Sequence, residues 1–220
     1  MQITDREAFI RENTRLQGTP LLGEEYLLWL AHDSCPLWTM GEEDMKAIGL
    51  PTPFWAFAWA GGQALAHYIR DNPRLVQNKT VLDFACGCAL QGLAALRAGA
   101  SRVLAVDIDP FAITATRMNA EANNLGTGLE SSTENLIGQD LSEWDVIFAG
   151  DVCYDGPMAR EILDWLRKEA ARGAVIFLGD PGRTYLDRTG LERIVSYGVK
   201  TTSALEDSDV RSASVWQLGP

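Results

Sequence analysis

The stretch that decides the fold is Thr80-Val81-Leu82-Asp83-Phe84-Ala85-Cys86-Gly87-Cys88-Ala89-Leu90-Gln91-Gly92. The apolar run that includes Val81 and Leu82 is typical of a strand buried in a parallel sheet. Residues 85–89 are all small, so the chain can turn tightly there and bring its backbone against a ligand. A helix-forming composition follows. The stretch therefore predicts a strand, a tight turn and a helix.

A second strand that ends in a second acid follows. Residues 102–106 form another apolar run rich in β-branched side chains, and it stops at Asp107, 24 residues after Asp83. In a doubly wound α/β fold this spacing places Asp107 at the tip of the second strand, where its carboxylate can accept hydrogen bonds from a ribose diol. The spacing predicts a nucleoside ligand. The alternative is a strand-helix-strand unit that binds no ligand, but nothing structural in such a unit requires an acid at the position of Asp107.

The turn separates two classes of nucleoside cofactor. A dinucleotide-binding turn has the pattern Gly-x-Gly-x-x-Gly, whereas only Gly87 is a glycine here, and Asp83 would repel a pyrophosphate and attract an ammonium group. Asp83, the small-residue turn and Asp107 together resemble the class I, seven-strand S-adenosylmethionine-dependent methyltransferases. Their usual turn is Asp/Glu-x-Gly-x-Gly-x-Gly, and Ala85 stands at the first of its glycines. The resemblance implies S-adenosyl-L-methionine as the cofactor.

The resemblance also implies which residues contact that cofactor. Asp83 is expected to take the ammonium group, Asp107 both ribose hydroxyls, and the stretch after the third strand the adenine edge. The candidate cofactor-binding residues are Trp59, Asp83, Ala85, Gly87, Asp107, Ile108, Asn135 and Leu136.

The remaining apolar runs predict the rest of an α/β fold. Further strands are expected at residues 129–132, 144–149 and 174–178, a helix from about 184 to 195, and two final strands near 199–204 and 212–218. Five strands with crossover helices and a closing hairpin correspond to the seven-strand methyltransferase order. The expected fold is a three-layer, Rossmann-like α/β structure whose mostly parallel sheet has an antiparallel final strand. Residues 26–31 could be a helix or a strand.

An aromatic segment precedes this core. Residues 53–63 read Pro-Phe-Trp-Ala-Phe-Ala-Trp-Ala-Gly-Gly-Gln. One interpretation buries the aromatic rings in the core or in a dimer contact. The other makes them a cap over the cofactor, with the Trp59 ring near the sulfonium or the adenine. The segment resembles the one that precedes the core in the electron transfer flavoprotein β-subunit lysine methyltransferases, a group within family 16 of protein methyltransferases.

A second site is expected at the tip of the fourth strand. Asp151-x-x-Tyr154 resembles the Asp-x-x-Tyr motif of family 16 lysine methyltransferases, and residues 179–183, Gly-Asp-Pro-Gly-Arg, resemble the flavoprotein-methylating branch. The resemblance implies that Asp151 and Tyr154 are the catalytic residues, with Asp151 orienting the acceptor amine and Tyr154 and Trp59 walling the lysine stem. The alternatives are an N-cap of the next helix for Asp151 and simple packing for Tyr154.

Three functional hypotheses follow. The first is a protein-lysine N-methyltransferase, with the β subunit of electron transfer flavoprotein as the substrate that the resemblance implies. The second keeps the fold and changes the target to lysines of ribosomal or other proteins. The third is a non-catalytic S-adenosylmethionine-binding partner protein, which would be free to lose Asp83, Asp107 and the Asp-x-x-Tyr motif.

Length and composition set further limits. A chain of 220 residues predicts one structural unit, with an N-terminal helical or cap segment at residues 1–75 packed on a methyltransferase domain at residues 76–220. The net charge of −11 argues against nucleic acid and suits a cationic substrate. Four cysteines without a Cys-x-x-Cys pair, and two histidines, predict no metal site. No membrane-spanning or signal segment is visible, so a cytoplasmic location is expected.

Overall fold

The computed structural model describes residues 3–32, 34–38, 40–200 and 210–219. Its helices and strands, in chain order, are α1 (Arg6–Asn13), β1 (Arg15–Thr19), β2 (Gly23–Leu30), α2 (Glu42–Ala47), α3 (Ala60–Asp71), β3 (Thr80–Phe84), α4 (Leu90–Arg97), β4 (Arg102–Val106), α5 (Pro110–Ala122), β5 (Leu129–Ser132), β6 (Val146–Gly150), α6 (Gly156–Ala171), β7 (Val175–Asp180), β8 (Leu191–Lys200) and β9 (Val210–Leu218). A short 3-10 turn at Phe54–Ala56 lies just before α3. The described helices include none long and apolar enough to cross a membrane.

The main sheet has seven strands in the order β5-β4-β3-β6-β7-β9-β8. The first five are parallel to one another, and β9 runs antiparallel to both β7 and β8. Strand order reverses beside β3, which pairs with β4 on one side and β6 on the other, so the carboxyl ends of these strands open a crevice there. The sheet confirms the predicted methyltransferase fold.

Alternating side chains of the strands divide the core into two layers. Val81 packs in a cluster with the apolar faces of α3 and α4. Its neighbour Leu82 packs on the opposite side of the sheet, in a cluster with α6. Since adjacent strand residues point to opposite faces, a strand segment buried on both faces must be apolar at each position, as Val81 and Leu82 of β3 are.

The first 75 residues combine helices with an antiparallel hairpin, β1–β2. Two amide side chains of α5 hold β2 in place: Asn119 accepts a hydrogen bond from the backbone N–H of Trp29 at 2.7 Å, and Asn123 accepts one from Leu27 at 3.0 Å. Residues 26–31, which the sequence left open between helix and strand, are therefore mostly strand. The boundary at residues 75 and 76 stays a prediction.

The helix predicted from about 184 to 195 is wrong. Asp187 turns back on its own backbone and accepts hydrogen bonds from the Thr189 N–H at 3.0 Å and hydroxyl at 2.8 Å, and Gly190 has a positive φ of 74°. This local bonding competes with a helix. The β-branched residues that follow pair with β9 instead. The predicted strand at 199–204 corresponds to the end of β8, with residues 201–204 outside the described part; the strand at 212–218 is confirmed within β9.

Candidate active site

The turn after β3 takes a conformation that suits glycine at three positions. Ala85, Gly87 and Ala89 have φ values of 53°, 51° and 60°, and they occupy the three glycine positions of the Asp-x-Gly-x-Gly-x-Gly pattern. An L-residue in the left-handed region costs about 1–2 kcal/mol. The chain therefore keeps the shape of the turn despite its two alanines, and both of them are strained.

Asp83 lies fully buried at the head of this turn. Its Oδ2 accepts a hydrogen bond from the Gly92 N–H at 2.9 Å, while its Oδ1 has no hydrogen-bond partner among the described residues. Burial raises the pKa of Asp83 well above the usual range. A buried carboxylate oxygen without a partner is costly, so it suits a cationic ligand group that would restore the missing bond.

Asp107 lies at the end of β4, across from Asp83. Its Oδ2 accepts a hydrogen bond from the Gly87 N–H at 3.0 Å, and its Oδ1 accepts one from the Asp109 N–H, also at 3.0 Å. Burial raises the pKa of Asp107. The first bond joins the predicted ribose acid to the middle glycine of the turn, and the two bonds together fix the orientation of its carboxylate.

The remaining predicted cofactor residues lie at the neighbouring strand tips. Ile108 is 73% exposed directly after Asp107, and the backbone N–H of Asp107 donates to Ser132 at the end of β5. Asn135 is exposed and accepts a hydrogen bond from the Ile137 N–H, whereas Leu136 is buried in the core. The exposed side chains of Ile108 and Asn135 are available to a ligand. The side chain of Leu136 packs against other apolar side chains of the core.

Asp151 lies at the end of β6 with only 7% of its side chain exposed. Its Oδ1 accepts hydrogen bonds from Nε and Nη2 of Arg183 at 3.2 and 2.9 Å, and its Oδ2 accepts one from the Gly61 N–H in the first turn of α3. The N-cap of α6 is Asp155, which accepts from the Met158 N–H. The interpretation of Asp151 as the cap of that helix is therefore wrong.

The aromatic segment divides into a buried part and an exposed part. Trp55 is 1% exposed and stacks on Phe111, with ring centroids 6.1 Å apart, in the N-terminal core. Phe54 is 41% exposed; its ring centroid lies 5.1 Å from that of Tyr154 and 6.1 Å from that of Trp59. The core interpretation therefore holds for Trp55, whereas Phe54 and Trp59 are partly exposed and the cap over the cofactor stays a prediction.

Phe54, Trp59, Tyr154, Asp151 and Arg183 form what we call the acceptor cluster. The guanidinium of Arg183 lies 5.5 Å from the centroid of the Trp59 ring, while its nitrogens bind Asp151. Tyr154 is 46% exposed, so it is not a buried packing residue. Burial raises the pKa of the Tyr154 hydroxyl, and the charges of Asp107 and Asp155 raise it further.

Backbone packing joins the acceptor cluster to the cofactor turn. A side chain at Gly61 would meet the Gly179 carbonyl oxygen at 2.2 Å and Asp151 Oδ2 at 2.5 Å, and one at Gly62 would meet Gln91 Oε1 at 3.0 Å. The side chain of Gln91 is buried. It lowers the pKa of Asp83, against the larger rise that burial causes. The first turn of α3 thus lies against both Asp151 and Gln91, and at Gly61 only glycine allows this approach.

Trp59 was predicted to contact the cofactor, but its observed contacts belong to the acceptor cluster. Its Nε1–H donates to the Phe54 carbonyl at 2.9 Å, and its ring lies near Phe54, Phe57 and Arg183. Within the aromatic segment, Phe54 and Trp55 lie beside the cofactor turn, since backbone atoms of both are 4.0 Å from where a Gly87 side chain would begin. A direct cofactor contact by Trp59 stays a prediction.

Three residues of the site had no predicted role. Arg183 lies in the stretch 179–183 that carries a family resemblance, but nothing in that stretch predicted which side chain Arg183 would contact. Gln91 looked like an ordinary helix residue, and Phe54 was one aromatic among four. The cysteines at 35, 86, 88 and 153 are buried and free, and the described residues contain no group of three acids, histidines or cysteines placed to hold a metal.

Known proteins resemble this chain in sequence and in fold. Residues 64–152 match the family model of ribosomal protein L11 methyltransferase (PrmA). Over 218 residues, the electron transfer flavoprotein β-subunit lysine methyltransferases of Danio rerio and Xenopus laevis are 37% and 36% identical; these alignments cover 97% of this chain and 83% and 87% of those proteins. The chain belongs to the electron transfer flavoprotein β-subunit lysine methyltransferase family.

More distant relatives support the fold. The ribosomal protein L11 methyltransferase of Aeromonas hydrophila is 36% identical over 128 residues, which cover 58% of this chain and 39% of that protein. Two solved complexes with S-adenosyl-L-homocysteine, an RNA methyltransferase from Salinibacter ruber and the N-methyltransferase NodS from Bradyrhizobium japonicum, superpose with TM-scores of 0.51 and 0.50. They are 14% identical each, over 70% and 71% of this chain and 90% and 88% of theirs. The family membership confirms the predicted class: the chain is an S-adenosylmethionine-dependent methyltransferase.

Proposed function

We propose that this chain transfers methyl groups from S-adenosylmethionine to lysine ε-amines of the β subunit of electron transfer flavoprotein. The observation that carries the proposal is the buried carboxylate of Asp151, which binds a guanidinium that lies over the Trp59 ring; Phe54, beside that ring, also contacts Tyr154. A buried acid framed by aromatic faces favours an organic cation. The relatives named for this substrate share about a third of their residues with nearly the whole chain.

The residues on the cofactor side fit S-adenosylmethionine. Asp83 Oδ1, buried and without a partner in the described part of the chain, suits the ammonium of the cofactor's amino-acid end. The oriented carboxylate of Asp107 suits a ribose diol. When bound, the cofactor supplies a methyl group on a cationic sulfur, which is already activated for transfer. The protein therefore has to bind, orient and exclude water more than to activate the donor.

The acceptor cluster has to bind a lysine and present it as a free amine. A lysine amine has a pKa near 10.4, so it arrives protonated at neutral pH and cannot attack. The carboxylate of Asp151 attracts that ammonium form, while Phe54, Trp59 and Tyr154 wall the aliphatic stem. The same carboxylate also raises the pKa of the lysine and so opposes its deprotonation. The proton has to leave to solvent before transfer, so the rate should rise with pH into the alkaline range.

The experiment that tests this function uses purified β subunit and isotope-labelled S-adenosylmethionine, with modified residues identified by mass spectrometry. Label on β-subunit lysines is the expected result. Ribosomal protein L11 serves as the competing substrate, since a methyltransferase of that name matches part of the chain. Label on L11 and none on the β subunit would replace the target; label on neither protein would reject both.

A pair of variants connects that activity to the acceptor cluster. Asp151→Asn keeps the shape of the side chain and loses its charge, so methyl transfer should fall by about 10²-fold, the range for a lost positioned polar group. Asp164→Asn is the control, because Asp164 is an exposed acid of α6 that pairs with Arg167. Equal activity in the two variants would remove Asp151 from the reaction.

A further inference from the structure

The acceptor carboxylate already holds a cation that belongs to the chain itself. Arg183 donates from Nε and Nη2 to one oxygen of Asp151, at 3.2 and 2.9 Å, and its guanidinium faces the Trp59 ring at 5.5 Å. An acid on one side and an aromatic face on the other are the same two contacts that the proposed function assigns to a substrate lysine. The side chain of Arg183 is 19% exposed, so solvent reaches it from outside.

The loop after β7 is built to hold Arg183 at this place. Asp180, itself buried, accepts hydrogen bonds through Oδ1 from the backbone N–H groups of Gly182 at 2.6 Å and Arg183 at 2.8 Å. Gly182 has a positive φ of 88°, which a glycine adopts without strain. The turn therefore fixes the backbone of Arg183, and the long side chain spans from there to Asp151.

We propose that Arg183 is a specificity-determining residue that occupies the acceptor position in place of the substrate lysine, which must displace it from Asp151. The proposal rests on the role given to Asp151 under the proposed function. It explains how a buried acid is kept paired between turnovers, because an unpaired buried carboxylate is unfavourable. It also predicts selectivity: a small free amine cannot replace the two bonds of Arg183, whereas a lysine presented by a docked protein gains further contacts.

Arginine suits this position because its side chain is a poor methyl acceptor. Its guanidinium stays protonated and its nitrogen lone pairs are delocalised at all accessible pH values, so it is a weaker nucleophile toward the methyl donor than a neutral lysine amine. A lysine in the same position can lose a proton to solvent. Its nitrogen lone pair then forms a bond to the methyl carbon, the carbon–sulfur bond breaks, and its electrons stay on sulfur, which leaves S-adenosylhomocysteine. The position therefore accepts both cations, and the lysine is the better methyl acceptor.

The test is to give the chain its own lysine there. In Arg183→Lys the new Nζ reaches the place of the guanidinium carbon, between the two nitrogens that now bind Asp151. Incubation of the full-length variant with S-adenosylmethionine should methylate the introduced side chain, with a rate constant that does not depend on protein concentration. Arg188→Lys is the matched control: Arg188 also lies over a tryptophan, Trp216, at 5.2 Å, and it should stay unmodified.

A second variant distinguishes displacement from simple support of Asp151. Arg183→Ala empties the position, so the enzyme should methylate a small free amine such as butylamine at least ten-fold faster than the unaltered protein does. An Arg183→Lys protein that binds S-adenosylhomocysteine normally and carries no methyl group on the introduced residue would overturn the proposal. So would an Arg183→Ala protein that loses transfer to butylamine and to protein lysine alike.

The outcomes also separate this inference from the proposed function. Self-methylation of Arg183→Lys without methylation of the flavoprotein β subunit by the unaltered chain would keep the acceptor position and reject the substrate. Methylation of the β subunit by the unaltered chain without self-methylation of the variant would keep the function and reject the role of Arg183.

Discussion

The cofactor side and the acceptor cluster both centre on a buried aspartate, but the two acids are in opposite states. Asp83 has an oxygen without a partner in the described chain, whereas both oxygens of Asp151 are bound, to Arg183 and to Gly61. The first acid is ready for a ligand. The second already holds a partner from the chain. Under the proposals made above, the cofactor binds a preformed site, while the acceptor lysine has to displace Arg183 from Asp151.

The two sides also differ in how they are assembled. The cofactor side is mostly one local unit, since Asp83, the turn and Asp107 lie within 25 consecutive residues. The acceptor cluster brings together residues near 54–59, 151–154 and 183, held by glycines that let α3 approach β6 and β7. Substitutions on the cofactor side should therefore act on cofactor affinity, and those in the cluster on the acceptor.

The largest effect should follow from breaking the cofactor side at Asp107. Asp107→Ala removes the proposed bonds to two ribose hydroxyls, each worth about 1.5–3 kcal/mol, and frees the Gly87 N–H that the carboxylate now holds. Affinity for S-adenosylhomocysteine should fall by about 10²-fold in calorimetry, with the protein still folded by circular dichroism. Unchanged affinity would remove Asp107 from the cofactor site.

A second effect comes from the raised pKa values of two acids outside the cofactor turn. Burial raises the pKa of Asp180, near the acceptor cluster, and of Asp109, next to Asp107, each to about 6. The unfolded chain binds these protons only near pH 4. Between about pH 4 and 6 the folded state therefore holds more protons, and the free energy of unfolding should rise as pH falls through that window.

The measurement is urea unfolding at pH 7.5 and 5.0. Asp180→Asn should remove part of the gain at low pH, of the order of 1–2 kcal/mol given about 1.4 kcal/mol per pKa unit and incomplete burial. Asp145→Asn is the comparison, since Asp145 is an exposed acid whose pKa is lowered by hydrogen bonds from Thr80. A full gain at low pH in Asp180→Asn would show that this acid is not protonated in the folded state.

A smaller effect sharpens the assignment of Trp59. Its contacts with Arg183 and Phe54 place it in the acceptor cluster, and a cation–aromatic contact is worth about 0.5–2 kcal/mol. Trp59→Ala should raise KM for the protein substrate by about three- to ten-fold and change cofactor affinity less. If instead cofactor affinity falls and KM stays the same, the earlier interpretation of Trp59 as a cap over the cofactor is right.

The smallest effect concerns strain in the cofactor turn. Ala85→Gly removes a left-handed alanine at the cost of extra freedom in the unfolded chain, so the protein should gain about 0.5–1 kcal/mol of stability. Ala122→Gly is the control, because Ala122 lies in helix α5 and the same change there should destabilise. Loss of stability in both variants would show that the turn is not strained at residue 85.

The fold and the cofactor side could be predicted because their signals are local. A parallel strand buried on both faces must be apolar, and an acid at its tip shows directly in the sequence, as Asp83 and Asp107 do. The helix prediction for residues 184–195 was wrong for a local reason too. The hydrogen bonds between Asp187 and Thr189 form a turn there in place of the helix.

The acceptor cluster could be predicted only in part. Resemblance pointed to Asp151 and Tyr154, but the ion pair with Arg183 joins residues 32 positions apart along the chain. Its geometry depends on the Asp180 turn and on the glycines that place α3 against Asp151. No periodicity or propensity records such a contact, because it arises from packing between elements.

The measurement that tests the central claim most directly compares Asp151→Asn with the unaltered protein by two readouts on the same preparation. Calorimetry with S-adenosylhomocysteine reports the cofactor side, and a single-turnover assay with the flavoprotein β subunit reports the acceptor side. We predict cofactor affinity within about three-fold of normal and methyl transfer lower by about 10²-fold. Normal transfer, or a loss of cofactor affinity that accounts for the slower transfer, would contradict the division of the site into a cofactor acid and an acceptor acid.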